Sequence, residues 1–443
     1  MAGKDRAGDK VLRDLPDVGY TLADGDAGDV TAARFAHQEL VAQGVEFYGS
    51  DHGTVPWLVA EKAFELGEDL TRRIHELGGA VFQLVDAAQV LYAEGHERVR
   101  EHLDIGILPG LRGLDLDRMI QMFRLDVVVR DGKPVLTEIE EVFGNVGKAH
   151  AFEFAYGVPA DPMFKAFEGY EFERIWLDDQ YHMYRSELAI VAQRMKTQFG
   201  RDVEVEFLSK FKDDGRRVGW RFCYVKEFRQ YESDVRKSII AGADRLVNPL
   251  FHGYGTKGLI SLAWDPEVEG ELVRRIGRDT LDILREGMPD TQLLDPIPDP
   301  DFMEGLKSRG KGLALKVLDS PEATEYTWGS RGVFFGDQSR WRKSVDAAAI
   351  GSVPGRDDVR NTRYMLTELI DSDRYDINFL HPRDNVLCTM PRARVRLTPI
   401  FNREPDGWSL LGGHATFVNT SRKVHLGKHA VCAPFSTSQA AHD

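Results

Sequence analysis

FRLDVVVRDGKPVLTEIE, residues 123–140, decides how the chain is read. Two β-branched runs flank Asp131-Gly132, a strong short-range signal for an antiparallel hairpin. Three carboxylates sit on it, Asp126 on the first strand and Glu138 and Glu140 on the second. Strand side chains alternate faces, so the two glutamates share a face and the turn decides whether Asp126 joins them. A two-residue loop pairs Arg130 with Lys133 and sets Asp126 opposite Thr137, on the other face. A three-residue loop with Gly132 left-handed pairs Val129 with Lys133 and gathers all three. The expectation is the odd loop, with the carboxylates facing one cleft. Like charges that close call for a counter-charge such as Mg2+. A solvated acidic edge that discourages sheet aggregation is the alternative.

The surroundings bound the rest. A chain of 443 residues with 42% apolar content suits two or three lobes around a cleft. A formal charge of -14 argues against nucleic acid and anionic membranes as partners. Three scattered cysteines suggest neither a disulfide framework nor a zinc site, a reducing cytoplasm is the expected location, and no apolar stretch is long enough to span a membrane.

The expected layout is a disordered segment 1–25, a mainly helical N-terminal lobe 26–118, a core 119–265 holding the hairpin, a lid 266–360, C-terminal strands 361–435 and a disordered tail 436–443. The fold class is α+β (α/β) with mostly antiparallel sheets. Helices are predicted across Pro56–Gly78 and near 172–199, 257–264, 267–287 and 338–349, and Asp295–Pro300 is a stiff connector.

Gly253-Tyr-Gly-Thr-Lys-Gly258 satisfies G-x-G-x-x-G, but the run before it contains Pro249 and no acidic residue follows at the distance a ribose contact needs. The segment instead presents Lys257 at the first turn of a helix, where phosphate is favoured. Lys316 lies in the apolar strand GLALKVL and must find an anion or reach water. WGSRGVFFG follows, whose Gly329, Ser330 and Gly332 let backbone N–H groups approach phosphate. The apolar RYMLTELI strand offers backbone at Glu368, Leu369 and Ile370 to an adenine edge. In PRARVRLTPIF, Arg392, Arg394 and Arg396 fall on one face, suited to phosphate or carboxylate or equally to a solvated edge.

The hairpin, the lysines and the glycine loop, in this order over roughly 120–400, resemble the circularly permuted ATP-grasp ligases, especially the synthetase domain of glutathionylspermidine synthases and related amide-forming enzymes. The resemblance implies an ATP-grasp-like fold with a nucleotide-binding lid, and ATP and Mg2+ as cofactors. It places the metal on Asp126, Glu138 and Glu140, with Glu140 where the family usually has asparagine. Arg124, with Arg331, is implied to contact the reacting carboxylate or acyl phosphate, and Lys257, Lys316, Gly329, Ser330, Gly332, Glu368, Leu369 and Ile370 to bind ATP. Glu368 stands where a glutamine is often found. The activity implied joins a small carboxylate to an amine, both amino-acid-like, through an acyl phosphate. A phosphotransferase or a non-catalytic nucleotide-binding subunit are the competing classes, and a homodimer is left open.

Overall fold

The computed structural model describes residues 21–23, 30–42, 45, 47–49, 53–55, 58–142, 144, 146–157, 166–212, 218–327, 331–381, 386–424 and 430–437. The chain is α+β, with a nine-stranded main sheet, a four-stranded lid sheet, a three-stranded parallel sheet and a two-stranded ribbon.

The main sheet runs Arg374–Leu380, Leu58–Ala60, Val431–Thr437, Gly407–Val418, Leu387–Glu404, Met122–Arg130, Lys133–Glu140. Arg374–Leu380 also pairs with Leu387–Glu404, which closes five of these strands into a ring. Pairing is antiparallel except where Val431–Thr437 lies parallel to Leu58–Ala60 and Phe64–Leu66. One face carries Leu125, Val127, Leu397, Ala415 and Phe417 against the 26-residue helix Glu68–Ala93, whose Leu77, Val81, Leu84, Ala88 and Leu91 complete that core. The other face carries Arg124, Asp126 and Arg396. Because strand side chains alternate, apolar residues on one face leave the intervening polar ones to the other.

The hairpin turn differs from expectation, and the reason is instructive. Arg130 pairs with Lys133, so the loop has two residues, with Asp131 at φ 51° and Gly132 at φ 71°. Both positive angles are what a type I′ turn demands. Alone, this register would separate Asp126 from the glutamates. The register shifts between Asp126 and Val127, however, so that Val127 faces Leu136 while Asp126 faces Glu138, skipping Thr137. The odd residue is therefore a β-bulge at Thr137 rather than a third loop residue, and the three carboxylates still share a face. Thr137 Oγ1 donates to the Asp126 carbonyl at 2.9 Å, which ties the bulge down.

The lid sheet orders Thr291–Leu293, Arg363–Glu368, Leu313–Asp319, Val333–Phe335, all antiparallel. Helices Pro300–Ser308 and Trp341–Ala349 cover it around Leu306, Leu315, Val317, Trp341 and Val345. The parallel sheet joins Glu204–Phe207, Arg174–Leu177 and Gly219–Phe222, backed by helix Arg185–Phe199.

Several expected helices are corrected. The Pro56–Gly78 stretch holds strands Leu58–Ala60 and Phe64–Leu66 before its helix begins, because neighbouring strands of the main sheet offer them partners. The 172–199 segment starts with strand Arg174–Leu177. The 267–287 segment breaks into Pro266–Ile276 and Arg278–Gly287 at Gly277, whose φ of 82° ends the first. The proline connector leads into helix Pro300–Ser308, with Pro300 in its first turn. Parts of the ends expected to be disordered are strand instead, since Thr21–Leu22 pairs with Leu387–Glu404 and Ser436 and Thr437 pair with Glu65 and Leu66, while 1–20 and 438–443 lie outside the described residues. No helix among the described residues is long and apolar enough to cross a membrane.

Candidate active site

Asp126, Glu138 and Glu140 each place an oxygen within 4.8 Å of the others. Asp126 is buried at the middle of its strand, whereas Glu138 and Glu140 open onto a cavity of about 400 Å³ between the main sheet and the lid. Arg124, two residues before Asp126 and on the same face, is fixed between the acids: its Nη2 lies 3.0 Å from Asp126 Oδ1 and 3.0 Å from Glu140 Oε2. Arg396, from the adjacent strand, donates from Nη1 to Asp126 Oδ2 at 2.7 Å. Of the three arginines expected on one face, only this one meets the cluster. Arg394 pairs with Asp371 at 2.7 Å, and Arg392 is turned out to solvent where the register shifts and φ reaches 50°.

The two lysines converge from separate elements. Lys257, just before helix Gly258–Ser261, sets Nζ 3.4 Å from Glu138 Oε1. Lys316, on the lid strand, donates to the Thr137 carbonyl at 3.2 Å, so the bulge also supplies its acceptor. Burial pushes the Lys316 ammonium down to about 8, with Glu138 opposing and Lys257 reinforcing the fall. Burial acts to raise Glu138, but Lys257, Lys316 and Lys226 outweigh it and hold its carboxyl below the usual range. Glu140 goes the other way: burial, aided by Glu138 and Asp126, pushes it up to about 7 against Arg124 and the Tyr224 hydroxyl. One group of three carboxylates thus contains a low and a high member, decided by which has ammonium groups nearby.

Glu368, Leu369 and Ile370 line the same cavity at its lid side, and Glu368 Oε1 accepts from Arg130 at 2.7 Å. Of the glycine loop, Arg331 and Gly332 are described. Arg331 is exposed and is not among the residues lining the cavity, so it stands apart from Arg124. Gly332 is likewise absent from the lining, and a Cβ there would stand 2.0 Å from the Tyr326 carbonyl, so glycine is required by packing against the lid's own backbone. Gly329 and Ser330 lie outside the described residues.

Residues not singled out from sequence complete the wall. Tyr224 donates to Glu140 Oε2 at 2.9 Å and reaches the Val142 carbonyl at 3.0 Å. Lys226, whose ammonium burial pushes down, follows the apolar run Phe222–Val225 much as Lys316 follows its own apolar neighbours, a signal that was available. Arg422 and Lys423 enter from the segment after Val418, and Arg422 is held 2.5 Å from Asp337 of the lid. Seven cationic and four anionic side chains line the cavity, an excess of three positive charges suited to a polyanion. Beneath the site, fully buried Arg221 bonds Glu141 at 2.9 Å and the Pro249 carbonyl at 2.8 Å, fastening the hairpin end to the segment that leads to Lys257.

A glutathione synthetase-like effector from Globodera pallida superposes on this architecture over 93% of this chain and 98% of its own, with a TM-score of 0.52 at 13% identity. The fold is α+β and ATP-grasp-like. A candidate gamma-glutamylcysteine synthetase from Methylobacillus flagellatus aligns over 83% and 90% at 14% identity, but its TM-score of 0.41 carries no argument. No family model and no curated protein matches the sequence.

Proposed function

We propose that the chain is an ATP-dependent carboxylate–amine ligase that joins small, amino-acid-like substrates through an acyl phosphate and releases ADP and phosphate. The observation that carries this reading is the meeting, in one cavity, of three carboxylates within 4.8 Å with Lys257 and Lys316 from opposite walls. The donor set fits Mg2+, which takes oxygen ligands and one or two carboxylates alongside phosphates. A carboxyl held up to about 7 beside two others is a group that a divalent cation would bring back to its ionised form. Asp126, Glu138 and Glu140 would hold the ion, which when bound neutralises phosphate oxygens and orients the γ-phosphate.

The chain's own residues do the rest by positioning and charge. Lys257, Lys316 and Lys226 hold phosphate oxygens, while Glu368–Ile370 border the base. Arg124 and Arg396, on the far side of the carboxylates, hold the reacting acid and the charge that develops on it. In the first step a carboxylate oxygen attacks the γ-phosphorus and ADP leaves. In the second an amine attacks the acyl carbon, phosphate leaves, and the amine loses its proton. Lys316 rides on the lid strand, so lid closure would both complete the phosphate contacts and keep water from the acyl phosphate.

The test is to incubate the protein with Mg-ATP and pooled amino acids and polyamines, reading free phosphate and new product mass together. Phosphate release should need both an acid and an amine and be accompanied by an amide of their summed mass less water. ADP formed with the phosphate retained on a hydroxyl ester would replace the ligase by a phosphotransferase.

A further inference from the structure

A second cavity, of about 920 Å³, lies where the lid meets the body, away from the carboxylates. Its walls come from 104–112 and Arg229 of the body and from 296–297, 319–321 and 350–363 of the lid. Four arginines face it with two aspartates, and both aspartates are already engaged. Asp319 is 2.9 Å from Arg229, and Asp104 contacts the Tyr92 hydroxyl at 2.8 Å and His252 at 2.9 Å. The guanidinium groups of Arg360 and Arg363 form no ion pair with a carboxylate among the described residues, although the Arg360 main-chain N–H donates to Glu322 at 3.0 Å. Arg360 Nη1 bonds only main-chain carbonyls, of Asp357 and Val359. Arg363 Nη2 makes a long 3.4 Å contact to the Leu294 carbonyl, and its buried Nε has no partner. Both guanidinium groups are thus hydrogen-bonded only to main-chain carbonyls, and an acidic oxygen in the cavity is the natural complement of their charge.

The rim supplies the second half of the chemistry. Of the eight large apolar side chains left exposed among the described residues, three border this one cavity: Ile297 at 88%, Ile350 at 57% and Leu108 at 38% exposure. Exposed apolar groups scattered singly need no explanation, but grouped around a cationic floor they do. The volume lies within the range of small-molecule sites. Asp319 and Arg363 are also cross-strand partners, at the outer ends of the two strands that carry Lys316 and Glu368. Asp319 is three residues from Lys316, or about 10 Å at roughly 3.3 Å per residue.

We propose that this cavity binds a small amphiphilic anion, an acidic head held by Arg360 and Arg363 with an apolar body against Leu108, Ile297 and Ile350, bridging the lid root and the body. The test uses 1-anilinonaphthalene-8-sulfonate, a sulfonate on an apolar body, titrated by fluorescence into the full chain and into Arg363→Met and Arg360→Met. Arg360 is exposed, so its variant keeps the fold even if Arg363→Met does not. Each substitution should weaken saturable dye binding at least about fivefold, and inorganic phosphate should compete with the dye in the unsubstituted protein. Dye binding unchanged in Arg360→Met, or indifferent to phosphate, would overturn the proposal, and in that case the apolar rim belongs to a protein-docking surface.

Discussion

Glu140 and Glu138 differ in the charge that surrounds them, and the difference is measurable. In the unfolded chain a glutamate titrates near about 4.3, whereas folded, metal-free Glu140 is pushed up to about 7 by burial and its carboxylate neighbours. Between those values the folded protein keeps a proton that the unfolded chain has lost. Stability from this group is therefore full below the unfolded value and is lost as pH rises through about 7. In chelator, Glu140→Gln should gain a few degrees in Tm on the unsubstituted protein as pH rises from about 5 to about 8; a difference constant across that range contradicts the assignment. Glu138→Ala should reduce turnover at least about a thousandfold, since it removes a ligand and leaves Lys257 unpaired, while Glu140→Asn should be milder because an oxygen donor is kept. At this scale the sequence was informative. Face alternation along the hairpin marked Asp126, Glu138 and Glu140, an apolar strand marked Lys316 and a period of two marked Arg396, but Tyr224 acts through a partner more than eighty residues away, which no local pattern announces.

The hairpin shows what an element adds to its residues. Counting parity required one extra residue between Asp126 and Glu138, and strand alternation alone could not say whether the turn or the strand absorbed it. The structure puts it at Thr137, because Asp131-Gly132 already satisfies a two-residue turn and Asp373 binds both turn N–H groups at 2.9 Å. Gly132 has open space where a Cβ would stand, so Gly132→Ala should cost only the left-handed backbone, about 1 kcal/mol, with little loss of activity. A denaturant midpoint shift several times larger would mean that the turn is held differently. Arg221→Met is the opposite case. It strands the buried Glu141 carboxylate, and a loss of about 3–5 kcal/mol is expected from equilibrium unfolding. The strands Leu58–Ala60 and Phe64–Leu66 were illegible for a related reason: three-residue strands carry no usable period and exist because Val431–Thr437 pairs with them.

Across the whole molecule, the lid packs around its own apolar core, separate from the main-sheet core, and meets the body through Lys316, Arg422 and the second cavity. A lid with its own core can move as a unit, so Mg-ADP should protect the amides of Leu313–Asp319 from hydrogen exchange in the unsubstituted protein and not in Lys316→Ala. Equal protection in both would place the nucleotide elsewhere. The α+β class, the antiparallel main sheet and the order of site segments were readable because each rests on local pattern; the five-strand ring and the lid–body junction were not, because they depend on pairings across hundreds of residues. The central claim is that the carboxylate cluster serves an acyl phosphate, and oxygen transfer tests it most directly. With an acid labelled by ¹⁸O in its carboxylate, one labelled oxygen should appear in each released phosphate, because the bond from acyl carbon to bridging oxygen breaks when the amine attacks. Phosphate released without label, in amounts matching amide formed, would contradict the account.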